Sequence, residues 1–148
     1  MLINLVLNHS VLVERDENDK ITYNASSPDE LALVNGAYHL GASFEGIDDD
    51  NKIKFGYLGE SMSYELLNVI EFDSTRKKMT VVVRDSESNE IKVLCKGADS
   101  VLLPLLKDND SKKVRELVDA TYRHMETFAK EGLRTLLFVE KTISEEDY

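Results

Sequence analysis

Apolar positions along the chain change period several times, and each change marks an element. Val11-Leu12-Val13 and Ile21-Thr22-Tyr23 are short β-prone runs on either side of a charged turn, Arg15 to Lys20, and predict a hairpin. Leu31, Val34 and Tyr38 then recur at helical spacing. Ahead of them Ser27 suits an N-cap, Pro28 the first helical position, and Glu30 the third residue after the cap, where it can return a hydrogen bond in a capping box. Gly41 is placed to end this helix in a left-handed conformation, so the predicted span is Pro28 to Leu40.

Short β-rich segments follow: Ala42 to Ile47, Lys52 to Leu58, Tyr64 to Phe72, Thr80 to Arg84 and Ile91 to Cys95. Polar turns separate them, including Asp48-Asp49-Asp50 and Arg76-Lys77-Lys78, and connections this short imply antiparallel pairing. Asp99 to Leu106 reads as a short helix that Pro104 keeps irregular. Val114, Leu117, Val118, Thr121, Met125 and Phe128 form an amphipathic stripe between Ser111 and Gly132, which predicts a helix over Lys112 to Glu131. Leu133 to Ile143 reads as a closing strand, and the fold class is mixed α/β of the α+β kind. Met1 to Leu7 is apolar with no polar tail before it, as though residues 1–148 were one domain taken from a larger chain.

Composition narrows the function. With 148 residues, 42% hydrophobic and 31% charged, the chain can bury a core as one domain. A net charge of −10 argues against nucleic acid or an anionic membrane as general partners, because both need Lys and Arg to neutralise fixed charge. Any site for a polyphosphate must then be a local basic spot. The single cysteine, Cys95, excludes an internal disulfide, fits a reducing compartment, and reads as a small buried hydrophobe on a strand. In such a compartment the Asn-x-Ser sequons at Asn8, Asn24 and Asn109 are expected to stay unmodified. No apolar run approaches the ~20 residues that span a bilayer.

Several familiar sites are missing: there is no G-x-x-x-x-G-K-[ST], no G-x-G-x-x-G, and no paired-histidine spacing among His9, His39 and His124. Gly41 to Gly46 has one residue too many for a nucleophile elbow. Four ordered segments carry the remaining chemistry: Ser26-Ser27-Pro28-Asp29-Glu30, Phe72 to Met79, Lys96-Gly97-Ala98-Asp99 and Gly132-Leu133-Arg134-Thr135. Together they offer an aromatic face for a base and cations for phosphates. Phe72, at a strand end, either packs into the core or stays open for an adenine ring to stack on, a contact worth about 1 to 3 kcal/mol by analogy with bases on aromatic side chains. Lys77 and Lys78 either reach phosphates or belong to a solvated turn. Lys96 follows a strand and is either an exposed strand-end lysine or a cation held on a rigid element, with Gly97 letting a ligand approach the backbone. Glu30 either completes the capping box or accepts from an adenine amino group, and Arg134 either contacts phosphate or pairs with an acidic neighbour.

As an ordered set these segments resemble the nucleotide-binding domain of P-type ATPases, most specifically the type IV branch, the phospholipid flippases. The similarity spans nearly the whole chain and includes Ala25 to Val34, Glu71 to Met79 and Leu94 to Asp99. It implies a twisted antiparallel sheet flanked by helices. It also implies that Phe72 stacks on adenine, Glu30 lines the base and ribose side, Lys96 sits at the inner end of the pocket and Arg134 contacts phosphate, with Ser74 and Lys77 as secondary contacts. Lys78 stands where the family often has Arg, which alters only the geometry of a planar contact.

The ligand implied is ATP, with Mg²⁺ bound mainly through the phosphates and a separate phosphorylation domain. The partners implied are the phosphorylation and actuator domains of a parent chain, and phospholipid only through a membrane domain. The parent is then an integral membrane protein carrying this domain on its cytoplasmic face. The D-K-T-G-T segment whose aspartate such enzymes phosphorylate does not occur in this sequence. No residue here is therefore expected to be catalytic or to hold a metal, and the domain, expected as a monomer, binds ATP without turning it over. Without the phosphate-side domains the expected affinity is sub-millimolar to millimolar, about −4 to −5 kcal/mol. Two alternatives stay open: the same domain of a cation-pumping relative, against which Ser-Pro-Asp-Glu counts, and a regulatory interaction domain that kept the fold and lost the nucleotide.

Overall fold

The computed structural model describes residues 1–18, 20–106 and 112–148. Asp19 of the charged turn, the helix-preceding Ser111 and the sequon at Asn109 lie outside the described residues. The chain opens with helix α1 (Leu2–Leu7), then a hairpin of β1 (Leu12–Arg15) and β2 (Ile21–Asn24), then α2 (Pro28–His39). Six strands form the main sheet: β3 (Ala42–Ile47), β4 (Lys52–Tyr57), β5 (Glu60–Asp73), β6 (Lys78–Asp85), β7 (Ile91–Gly97) and β8 (Leu137–Ile143). They pair antiparallel in sequence order, with α3 (Asp99–Leu102), a 3-10 turn (Leu103–Leu105) and α4 (Lys112–Lys130) inserted between β7 and β8.

The predicted hairpin, α2 and β3 are borne out, and local chemistry explains why. Ser27 has extended backbone and its hydroxyl accepts from the Glu30 N–H at 3.4 Å, so α2 begins where a cap and an N1 proline coincide. β5 is longer than the apolar run from Tyr64 to Phe72, because its first half pairs with β4 and its second half with β6. β8 is shorter than expected. Its partner β7 ends at Gly97, opposite Leu137, so residues 133–136 have no neighbouring strand to pair with. Lys96 and Gly97 belong to β7 rather than following it.

Strand alternation sorts the core into two layers. Met79, Val81, Val83 and Leu94 face α1 and α2, joining Val6, Val34, Phe44 and Phe55 in the larger cluster. Cys95 points the other way, to Leu102 and Leu137, and is buried as expected, with the Thr80 hydroxyl against its sulfur. Of the α4 stripe, only Met125 packs against this second cluster. Leu117 is 67% exposed and Phe128 46% exposed, so the periodicity specified an amphipathic helix but not a cover for its apolar face.

Two asparagines fasten α1 to the sheet. Asn4 Nδ2 donates to the carbonyls of Cys95 and Val139, and Asn8 Nδ2 to Asn4 Oδ1, Met79 O and Leu94 O. Both are buried, which also removes the Asn8 sequon from any modifying enzyme. Buried polar groups in a shared network are costly to break singly, since each deletion leaves its partners unsatisfied. Asn4→Leu is therefore expected to cost about 2 to 3 kcal/mol, read as a lower midpoint in urea unfolding; an unchanged midpoint would mean that α1 is held by its apolar side chains alone.

Candidate functional site

A cavity of about 540 Å³ opens on the α1/α2 side of the sheet. Its walls come from separate elements: Asp29, Glu30 and Leu33 of α2, Glu71 and Phe72 of β5, Met79 of β6, Lys96 and Gly97 of β7, and Ser10, Ser26, Ser27 and Leu136 from the connecting segments. Three of the residues singled out in the sequence, Glu30, Phe72 and Lys96, are thus brought together around one cavity.

Phe72 does not pack into the core. It is 61% exposed, and the pairing of β5 with β6 explains why. Between Ile70↔Thr80 and Asp73↔Lys78 two β5 residues, Glu71 and Phe72, oppose the single β6 residue Met79. A bulge of this kind bends the strand and re-aims a side chain, and here it presents an aromatic ring beside a cavity.

Lys96 lies directly opposite Met79 in the β6–β7 register and is only 7% exposed. Its ammonium donates to Glu30 Oε1 at 2.6 Å. The other carboxylate oxygen accepts from the Ser10 N–H at 3.2 Å and the Ser10 hydroxyl at 2.5 Å. The Glu30 side chain thus crosses to the sheet and to the α1–β1 connection, and only the Ser27 half of the expected capping box is made. Burial pushes the Glu30 carboxyl up, but hydrogen bonds from Lys96 and Ser10, with the Lys96 charge, outweigh it and hold the group below its ordinary value.

Arg134 lies in the unpaired segment before β8, where its guanidinium donates to Asp29 Oδ2 at 2.5 Å. The turn that precedes it is built on Gly132, at φ +76°: the Gly132 N–H donates to Ala129 O and the Leu133 N–H to Phe128 O, the two bonds of a Schellman stop. The chain then turns away from α4 and places Arg134 against α2 and Leu136 on the cavity wall.

Comparison with known proteins fixes the family. The profile of the P-type ATPase cytoplasmic domain N family matches residues 1–148. This chain belongs to the P-type ATPase domain N family. Similar curated proteins include "Phospholipid-transporting ATPase DRS2" of Saccharomyces cerevisiae, 43% identical over 95% of this chain, and "Phospholipid-transporting ATPase DNF1" of Chaetomium thermophilum, 40% identical over 99%. The human "Phospholipid-transporting ATPase ID" is 38% identical over 97%. The chain spans about a tenth of the length of these relatives, covering 9% to 11% of each.

Ser74, Lys77 and Arg134 stand outside the cavity wall of this domain N, among the described residues. Ser74 and Lys77 are exposed on the β5–β6 turn, where Asp73 Oδ1 accepts from the Thr75 and Arg76 N–H groups and Lys77 closes the turn at φ +52°. That turn leans on β7: the Ala98 N–H donates to Lys77 O at 3.0 Å. A Cβ built on Gly97 would meet Lys77 O at 2.5 Å and Lys78 Cβ at 2.7 Å. Gly97 is thus required by the neighbouring turn as well as open to the cavity. Along the lining, Asp29, Glu30 and Glu71 outnumber one lysine that is itself paired, and Arg134 stands beside it on Asp29. Sequence reasoning missed Ser10 and Leu136, which carry no pattern of their own, and gave Glu71 no role although it opens one of the quoted segments.

His9 lies behind the pair, its ring edge-on to Phe44 at 4.5 Å between centroids and its Nδ1 accepting from the Val11 N–H. Burial and the Lys96 charge lower its pKa to about 4, against smaller opposing effects of a Val6 backbone hydrogen bond and Glu30. An unfolded histidine takes up its proton near pH 6.5, so between pH 6.5 and 4 the unfolded chain binds more protons and stability falls as pH falls. Glu30, whose pKa is lowered, acts in the same direction at lower pH, its stabilisation being lost as the carboxylate protonates.

Between pH 7 and 4.5 urea unfolding should show wild type losing up to about 3 kcal/mol more than His9→Gln; parallel profiles would remove His9 as the acid-sensitive group. Gly97→Ala should cost about 1 to 3 kcal/mol by the same measurement and shift the amide resonances of the β5–β6 turn, whereas a neutral Ala variant would mean that the turn is free to move.

Proposed function

We propose that this domain binds the adenosine part of ATP in the cavity, on the face of Phe72, and directs the phosphates outward to the cations at its edge. The observation that carries the reading is an aromatic ring left 61% exposed by a strand bulge, lining the same cavity as a buried Lys96–Glu30 pair. Exposing Phe there gives up burial worth about 1.5 to 3 kcal/mol, which is explained if a flat ligand covers it. Glu30 Oε1 and Lys96 Nζ offer an acceptor and a donor at the inner end, suited to the amino group and a ring nitrogen of adenine. Arg134, whose partner among the described residues is the half-exposed Asp29 carboxylate, is available to phosphate, and Ser74 and Lys77 are secondary contacts on the adjacent turn.

Membership of the domain N family and likeness to proteins named as phospholipid-transporting ATPases support placing the chain in such an enzyme, with the domain holding ATP for an aspartate on another domain. The parent would be a membrane protein and its transported substrate a phospholipid; no helix among the described residues is long and apolar enough to cross a membrane. No group of three or more His, Cys, Asp or Glu able to hold a metal occurs among the described residues, so Mg²⁺ would arrive with the triphosphate and serve to neutralise its charge. In that setting the domain contributes positioning, and the reacting atoms lie elsewhere.

Because Phe72 is mostly exposed, Phe72→Ala should leave urea unfolding nearly unchanged while weakening ATP binding roughly tenfold or more, measured by ligand-observed NMR. Binding that survives the substitution intact would place the adenine elsewhere. Wild type that binds no adenine nucleotide at several millimolar would instead favour an interaction domain that has lost its ligand.

A further inference from the structure

The first turn of α2 carries two adjacent acids, and each is paired with a cation in or beside the cavity. Glu30 takes Lys96 at depth, with side chains 13% and 9% exposed. Asp29 takes Arg134 at the mouth, with side chains 48% and 81% exposed. Both cations are therefore neutralised by consecutive residues of one helix, at two levels. The levels differ in how easily they open. An exposed ion pair is screened and loses little when exchanged for another, whereas a buried pair leaves an uncompensated charge when one partner departs. A ligand anion is thus expected to compete for Arg134 and not for Lys96.

Asp29 also lines the cavity, as does Glu71. A phosphate chain that reaches Arg134 must share the guanidinium with the Asp29 carboxylate or displace it, and either way lies near it; like charges a few ångströms apart repel even in high dielectric. Unphosphorylated adenosine meets neither obstacle. We propose that Asp29 is a specificity-determining residue: it occupies Arg134 as a phosphate would and thereby sets how strongly the site prefers phosphorylated over unphosphorylated adenosine. The proposal rests on the nucleotide reading above and gives that site a built-in limit on its grip on the phosphate tail.

The test compares ATP and adenosine affinities, by NMR titration at low salt, for wild type, Asp29→Asn, Asp29→Ser, Arg134→Ala and the Asp29→Asn/Arg134→Ala double variant, each checked for folding by its amide spectrum. Asp29→Asn and Asp29→Ser should raise the ratio of ATP to adenosine affinity about three- to tenfold. The gain should be smaller when Arg134 is already Ala, and should shrink as salt approaches 1 M. A helix-start effect alone would move both ligands together and leave the ratio where it was. If both ligands bind and neither Asp29 variant changes the ratio, the proposal is overturned while the nucleotide reading stands. If wild type binds neither ligand, the nucleotide reading falls and this proposal falls with it.

Discussion

The Lys96–Glu30 pair is the constraint around which the site is arranged. A lysine on the inner face of a sheet, among Met79, Val81 and Leu94, is tolerable only with a charged partner and further hydrogen bonds, because desolvating a lone ammonium costs several kcal/mol. Glu30 supplies the charge and Ser10 occupies its second oxygen. To meet Lys96, the first turn of α2 must stand within side-chain reach of β7, and the α1–β1 connection must bring Ser10 beside it. The asparagines of α1 hold that arrangement from the other side by bonding to carbonyls of β6, β7 and β8. The cavity is the space left in front of this buried polar core.

The sheet then decides what faces that space. The β6–β7 register sets Lys96 beside Met79, and the β5 bulge, opposite the same methionine, turns Phe72 outward. A flat hydrophobic surface and the donor of the buried pair therefore line one cavity, from residues 24 apart in sequence. The acidic lining keeps the interior unsuited to polyanions and leaves any phosphate recognition to the cations outside.

Elements governed by neighbours in sequence are legible in the sequence itself. The Ser27 cap with Pro28, the stop at Gly132 and the β-rich runs depend on local geometry, so the fold class and most element positions could be read directly. Boundaries that depend on a partner could not: β8 starts at Leu137 because β7 ends at Gly97, and no feature of Leu133 to Leu136 announces that. The site divides in the same way. Glu30, Phe72 and Lys96 stood out by residue type, yet the exposure of Phe72 is a property of two-strand register, and Ser10 becomes a partner of Glu30 only through the docking of α2. Gly97 was read for the approach of a ligand, and the structure adds the turn at Lys77 and Lys78 that crowds it.

Whether this cavity is an adenine site is tested most directly by an amide NMR titration of the 148-residue chain with AMP, followed by GTP. Saturable AMP shifts centred on Glu30, Phe72, Lys96 and Gly97, with weaker or absent effects of GTP, are the predicted result. Saturable shifts centred on another surface, or none from a folded sample at several millimolar AMP, would contradict it.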